Sequence, residues 1–160
     1  MSRIIDILIF VFQITMAFIT AFCIYMGLAV IESEFGFDGL VVLFVFQPIG
    51  AVIVSGLTIL LCLIVGLPIR LNKKINHWWT TNFYMPIIGT VVGLSLTILA
   101  ILPYNEKTIP ATIDGEEVLR QIPDPTFAIC GWLLTIFCIL HTYLPRQLTD
   151  GIKAVLKNSK

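Results

Sequence analysis

The sequence predicts an all-α integral membrane protein with four transmembrane helices. Three observations carry that prediction. Four apolar stretches, roughly Ile4–Ile31, Leu40–Leu67, Phe83–Leu102 and Thr126–Leu144, take up most of the 160 residues. A hydrocarbon core about 30 Å thick needs about 20 helical residues at 1.5 Å each, and each stretch is long enough to cross it. The composition is 58% hydrophobic and 12% charged. A soluble domain of this size carries about 25% charged residues and could not hide so much apolar surface. Finally, the charges are sorted by side. Arg3, Arg70, Lys73, Lys74, Arg146, Lys153, Lys157 and Lys160 fall on one side of a four-pass arrangement, and Lys107 and Arg120 alone on the other. The positive-inside rule then places both termini and the Arg70–Trp79 loop in the cytoplasm.

The first stretch is too long for a signal-peptide core and has no small-x-small cleavage site, so it reads as a retained anchor. Asp6 lies near its cytoplasmic end, within reach of headgroups. Gln13 is costly against lipid and is expected to hydrogen-bond a neighbouring helix or an outside partner. In the second stretch Ala51-x-x-x-Ser55 is a small-residue pair at helical spacing, and Gln47 precedes Pro48. Proline suits the first turn of a helix, which trims this crossing to about Pro48–Leu67. Phe35–Gln47 is then surplus apolar chain. It either continues the helix outward with a kink or lies in the interface or in a partner's groove.

In the first cytoplasmic segment Leu71, Ile75, Trp78 and Trp79 fall at i, i+4, i+7 and i+8, with Lys73 and Lys74 elsewhere on the turn. That pattern predicts an amphipathic helix lying on the anionic leaflet, with Trp78, Trp79, Arg70, Lys73 and Lys74 as interfacial anchors. The third stretch carries Gly89-x-x-x-Gly93-x-x-x-Thr97, a small-residue stripe that lets two backbones approach closely. It packs either within the chain or against another subunit. Residues 103–125 form a polar, acidic external loop with room for a short strand or hairpin. The fourth stretch opens at Pro125, and the cytoplasmic tail 145–160 repeats the amphipathic spacing at Leu148, Ile152, Val155 and Leu156, anchored by Arg146.

Sliding the chain against itself by 77 residues aligns the second and fourth stretches without a gap, with ten identities from Pro48 to Trp79. Pro48 meets Pro125, Ala51 meets Ala128, and Leu57-Thr58-Ile59 meets Leu134-Thr135-Ile136. The first and third stretches align weakly. This predicts two tandem two-helix hairpins, about residues 1–79 and 80–160, related by a pseudo-twofold axis along the membrane normal.

Chemistry-bearing residues are sparse. The four stretches hold no charge deep in the membrane, which argues against ion-coupled transport. Cys23, Cys62, Cys130 and Cys138 sit inside the apolar stretches, at no metal-ligand spacing, and read as packing residues. Glu116-Glu117 reads as a solvated face. No phosphate loop, zinc motif or nucleophile triad occurs, and the basic residues are too few and too close to lipid for nucleic acid. No cofactor or metal is expected. The favoured expectation is a non-catalytic accessory or structural subunit in a cytoplasmic (inner) membrane, partnered by lipid and by other transmembrane subunits or by itself. The second is a small oligomeric channel or transporter lined by Thr58, Thr135, Gln13 and Gln47. The third is a redox subunit binding haem or quinone through His77 and His141.

Overall fold

The computed structural model describes residues 2–32, 39, 41–102, 107–113, 116–122 and 124–142. The apolar part is helical. Helix α1 spans Ser2–Glu32 and α2 spans Val42–Val65. Two short helices follow, α3 (Leu67–Leu71) and α4 (Lys73–Thr81). Helix α5 spans Tyr84–Ile101 and α6 spans Pro125–Leu140. Between them strands β1 (Lys107–Ile113) and β2 (Glu116–Ile122) pair as an antiparallel hairpin.

Among these, α1, α2 and α5 contain spans long and apolar enough to cross a membrane, the first being Ile7–Ile31 within α1. Helix α6 is equally apolar but has 16 residues, about 24 Å at the usual rise. The expected fourth stretch ran to Leu144. The helix stops at Leu140, because His141 leaves helical geometry at φ −110°, ψ 17°. Residues 143–160 lie outside the described residues, and with them the expected tail helix and Arg146.

Two boundaries differ from the sequence reading for identifiable reasons. Pro48 does not open α2. The helix begins before it, with a π-helical turn over Val42–Phe46, where the Gln47 N–H reaches the Val42 carbonyl. A proline ring collides with the carbonyl four residues back, and a widened turn just before it relieves that clash. The outward helical continuation is therefore what Val42–Gln47 adopt. In the loop, Asn72 splits the expected amphipathic run. Its side chain accepts from the Lys74 and Ile75 N–H groups at 3.0 and 3.4 Å and so caps α4. Leu71 belongs to the preceding α3.

The hairpin's two strands are separated in sequence by Asp114-Gly115, a dipeptide favoured in two-residue connections. Pro110 pairs with Leu119. Alternating outward from the closing pair Ile113–Glu116, this is a non-hydrogen-bonded position, where a missing N–H costs nothing.

The helices run alternately up and down. Tyr25 meets Gly50 near one end of α1 and α2, and Phe10 meets Arg70 beyond the other. Gly89 faces Cys138 while Thr97 faces Gly131, so α5 and α6 are antiparallel. Helix α6 is the shared element, packed on α1, α2 and most extensively on α5. The core is built from Ala17, Ala21, Ile59, Cys62, Trp132, Ile136 and Leu140. The alanines at i and i+4 let α1 approach closely, and Tyr25 meets Trp132 edge-on at 6.0 Å. Most large side chains elsewhere on α1, α2 and α5 point outward, Phe12 at 65% and Leu57 at 61% exposure among them. In water such a surface would be ruinous, whereas in lipid it costs nothing.

Candidate functional site

Arg70, Trp79 and Gln13, from three separate segments, converge on the C-terminal end of α6. A helix end leaves its last carbonyls without intrahelical partners, and lipid supplies none. Here all six carbonyls from Phe137 to Thr142 are satisfied. The Phe137 oxygen accepts from the His141 N–H at 3.1 Å, and lies 2.8 Å from His141 Nδ1. The Cys138 oxygen accepts the Thr142 hydroxyl at 2.7 Å, and the Ile139 oxygen takes the Thr142 N–H at 3.4 Å. The last three reach across the bundle. Arg70 Nη2 donates to the Leu140 oxygen at 3.2 Å, Trp79 Nε1 to the His141 oxygen at 2.7 Å, and Gln13 Nε2 to the Thr142 oxygen. A guanidinium is also the right charge for the negative end of a helix dipole.

The side chains around this end interlock. The Arg70 guanidinium sits 4.6 Å from the centre of the Phe10 ring. The His141 ring stacks on Phe137 at 4.5 Å, and Trp79 meets the same Phe137 edge-on at 6.3 Å. His141 is fully buried. A carbonyl only accepts, so Nδ1 carries the proton, and Nε2 is left without a partner against Gly66. A Cβ on Gly66 would collide with the imidazole at Nε2. His77 lies on the exposed surface of α4, and its carbonyl accepts the Thr80 and Thr81 hydroxyls at 3.0 and 2.8 Å. The structure thus does not bring the two histidines together: one is packed against backbone, the other faces outward.

The Gly89, Gly93 and Thr97 stripe is filled by α6. A Cβ on Gly93 would lie 2.8 Å from the Thr135 backbone nitrogen and 2.9 Å from the Gly131 oxygen. A Cβ on Gly131 would lie 2.7 Å from the Thr97 nitrogen, and one on Gly89 would strike Cys138 Sγ. Sequence reading named the α5 half of this contact and missed its counterpart, Gly131 with Thr135 and Cys138. That spacing is i, i+4, i+7, and one glycine gave too weak a signal. Ala51 and Ser55 are both fully buried in the core. The intramembrane hydroxyls of Thr15, Thr58, Thr90, Ser95 and Thr97 donate to carbonyls four residues back on their own helices. Gln13 and Gln47 stand at opposite ends of the bundle, Thr58 borders an apolar groove, and Thr135 lies in the α5–α6 contact.

Two apolar grooves run along α2 where it faces α6. The larger, about 510 Å³, is bordered by Leu61, Cys62 and Val65 of α2, Leu96 of α5, and Leu133 and Phe137 of α6. The smaller, about 320 Å³, is bordered by Leu28, Val54, Thr58, Ile129 and Trp132. Shifted by 77 residues, Val54, Thr58 and Leu61 become Gly131, Thr135 and Cys138, the face that receives α5. Shifted likewise, Gly89 and Gly93 become Phe12 and Met16, which point outward. Two bulky residues bar α1 from docking on α2 as α5 docks on α6. Helix α1 instead presents Ala17 and Ala21 to the core, and the α2 face stays open.

Among the described residues no three His, Cys, Asp or Glu side chains gather as a metal site, and the four cysteines are free thiols. The chain matches no protein-family model, no curated protein and no solved structure.

Proposed function

We propose that this chain is a four-pass, non-catalytic accessory or structural subunit of a larger membrane protein complex, with a partner's transmembrane helix seated along α2. One observation carries the reading. The Val54, Thr58, Leu61 and Val65 face of α2 borders two apolar grooves, and its counterpart on α6 is covered by a whole helix. The surface is helix-sized, concave and without charge, which suits packing by a second apolar helix. The polar groups support the same reading. Arg70, Trp79 and Gln13 each donate to a carbonyl at the end of α6, and five intramembrane hydroxyls donate to carbonyls of their own helices, which is architecture rather than chemistry. The basic residues of the loop and tail support an orientation with both termini in the cytoplasm and the hairpin on the opposite side of a cytoplasmic membrane.

The test is purification of the full chain from its native membranes in mild detergent. A stoichiometric membrane partner is expected. Thr58→Trp and Leu61→Trp, which fill the grooves and leave the Gly89, Gly93 and Gly131 stripe unaltered, should remove that partner and leave the chain inserted. Recovery of the wild-type chain alone, or a partner that stays bound to both variants, sinks the proposal.

A further inference from the structure

We propose that α4, with the turn that precedes it, is a docking surface for anionic phospholipid headgroups. Independently of any protein partner, four observations converge on it. Gly66–Asn72 separate α2 from α4, and Asn82 and Phe83 separate α4 from α5. Both flanking helices are long apolar spans, so α4 is tethered at headgroup depth from either end. The apolar residues of α4 and of the turn before it are divided. Trp79 turns inward onto Phe137 and the His141 carbonyl, while Leu71 at the end of α3 and Ile75 and Trp78 of α4 stand 76%, 38% and 51% exposed. Outward Leu and Trp beside lysine is the composition of a helix half-sunk in an interface.

Charge selects the lipid. From Leu67 to Asn82 the chain carries Arg70, Lys73 and Lys74 and not one acidic residue. Lys73 and Lys74 are exposed and occupy the first turn of α4. That is the electropositive end of the helix dipole, where a cation is electrostatically misplaced. The Asn72 cap satisfies two N–H groups there but brings no charge. A phosphate beside the first turn would offset both lysines and the dipole at once. The inward Trp79 links this surface to the closed end of α6, so lipid seating and bundle closure share one element.

The experiment uses the full chain reconstituted alone in phosphatidylcholine vesicles doped with pyrene-labelled phosphatidylglycerol or pyrene-labelled phosphatidylcholine. Energy transfer from tryptophan reads the preference for the anionic lipid. The wild type should prefer phosphatidylglycerol, and added salt should weaken that preference. Lys73→Gln with Lys74→Gln should lower it roughly 30-fold, the product of two lysine contributions of usual size near an anionic leaflet. Lys153→Gln with Lys157→Gln, in the tail, should leave most of it in place. Equal transfer from both lipids in the wild type, meaning that the lysines face water or await an acidic protein, overturns the proposal. So does a preference that survives the loop substitutions or is abolished by the tail substitutions alone.

Discussion

Gly93 shows how much a single position decides in this chain. In lipid there is no hydrophobic force between helices, so association rests on close contact and on hydrogen bonds. Gly93 supplies the contact by having no side chain: its backbone lies where a Cβ would press into the Thr135 amide and the Gly131 carbonyl. Neither neighbour is a flexible side-chain tip that could move aside. Gly93→Leu should therefore lower stability by about 3 kcal/mol or more, at the upper end of overpacking costs. Ser95→Leu adds similar volume to an exposed position of the same helix and should change stability by less than about 0.5 kcal/mol. Unfolding both variants with sodium dodecyl sulfate in mixed micelles compares them directly. Equal midpoints would mean that α5 and α6 do not meet through this stripe. The stripe on α5 was legible from its spacing. Its fit to Gly131 was not, because spacing reports a face and not which helix that face meets.

At the scale of elements, helix ends are the recurring problem, solved in different ways. Helix α6 opens with Pro125 behind Asp124, whose side chain accepts from the Thr126 N–H at 2.7 Å, and it closes on three borrowed donors from other elements. Helix α4 is capped within its own sequence by Asn72. Asn72→Ala should cost about 1 kcal/mol, the usual value of such a cap. In hydrogen exchange the amides of Lys74 and Ile75 should lose protection first. Because Trp79 ties α4 to α6, the His141 and Thr142 amides should follow to a smaller degree. Unchanged protection at Lys74 would show that α4 is held by its Trp79 contact and not by its cap. The amphipathic spacing of the loop was visible in sequence. Its division into inward Trp79 and outward Trp78 was not, since adjacent residues sit only about 100° apart on a helix.

For the whole molecule, helix length sets how often the chain crosses. Helix α6 is about 24 Å long against a hydrocarbon core of about 30 Å. A bilayer thins around a short helix at a modest cost per Å, and the Arg70, Trp79 and Gln13 side chains give its lower end a polar boundary. Impermeant thiol labelling counts the crossings, in a background where the four native cysteines are replaced by alanine or serine. Single cysteines at Lys73 and Lys157 should label from one face, and a cysteine at Thr108 in the hairpin from the other. If position 157 labels together with position 108, α6 does not cross and the chain is a three-pass protein. The expected internal repeat belongs to this scale as well. The buried Ala51, Ser55 and Ile59 of α2 sit 77 residues before the buried Ala128, Trp132 and Ile136 of α6. The same offset sets Phe12 and Met16 of α1 against Gly89 and Gly93 of α5.

Hydrophobicity is a property of the chain itself, so the sequence determined that this protein carries long apolar helices joined by short polar links. Helical spacing likewise picked out the glycine stripe and the amphipathic loop. The tertiary structure decided which surfaces are spent and which remain. It committed the glycine stripe to α6, locked His141 against Gly66, closed the end of α6 with donors from three distant segments, and left one face of α2 open. Those outcomes depend on side-chain volume at helix crossings and on carbonyls that lipid will not hydrogen-bond. Both arise only between segments far apart in sequence, so no reading of one segment at a time contains them.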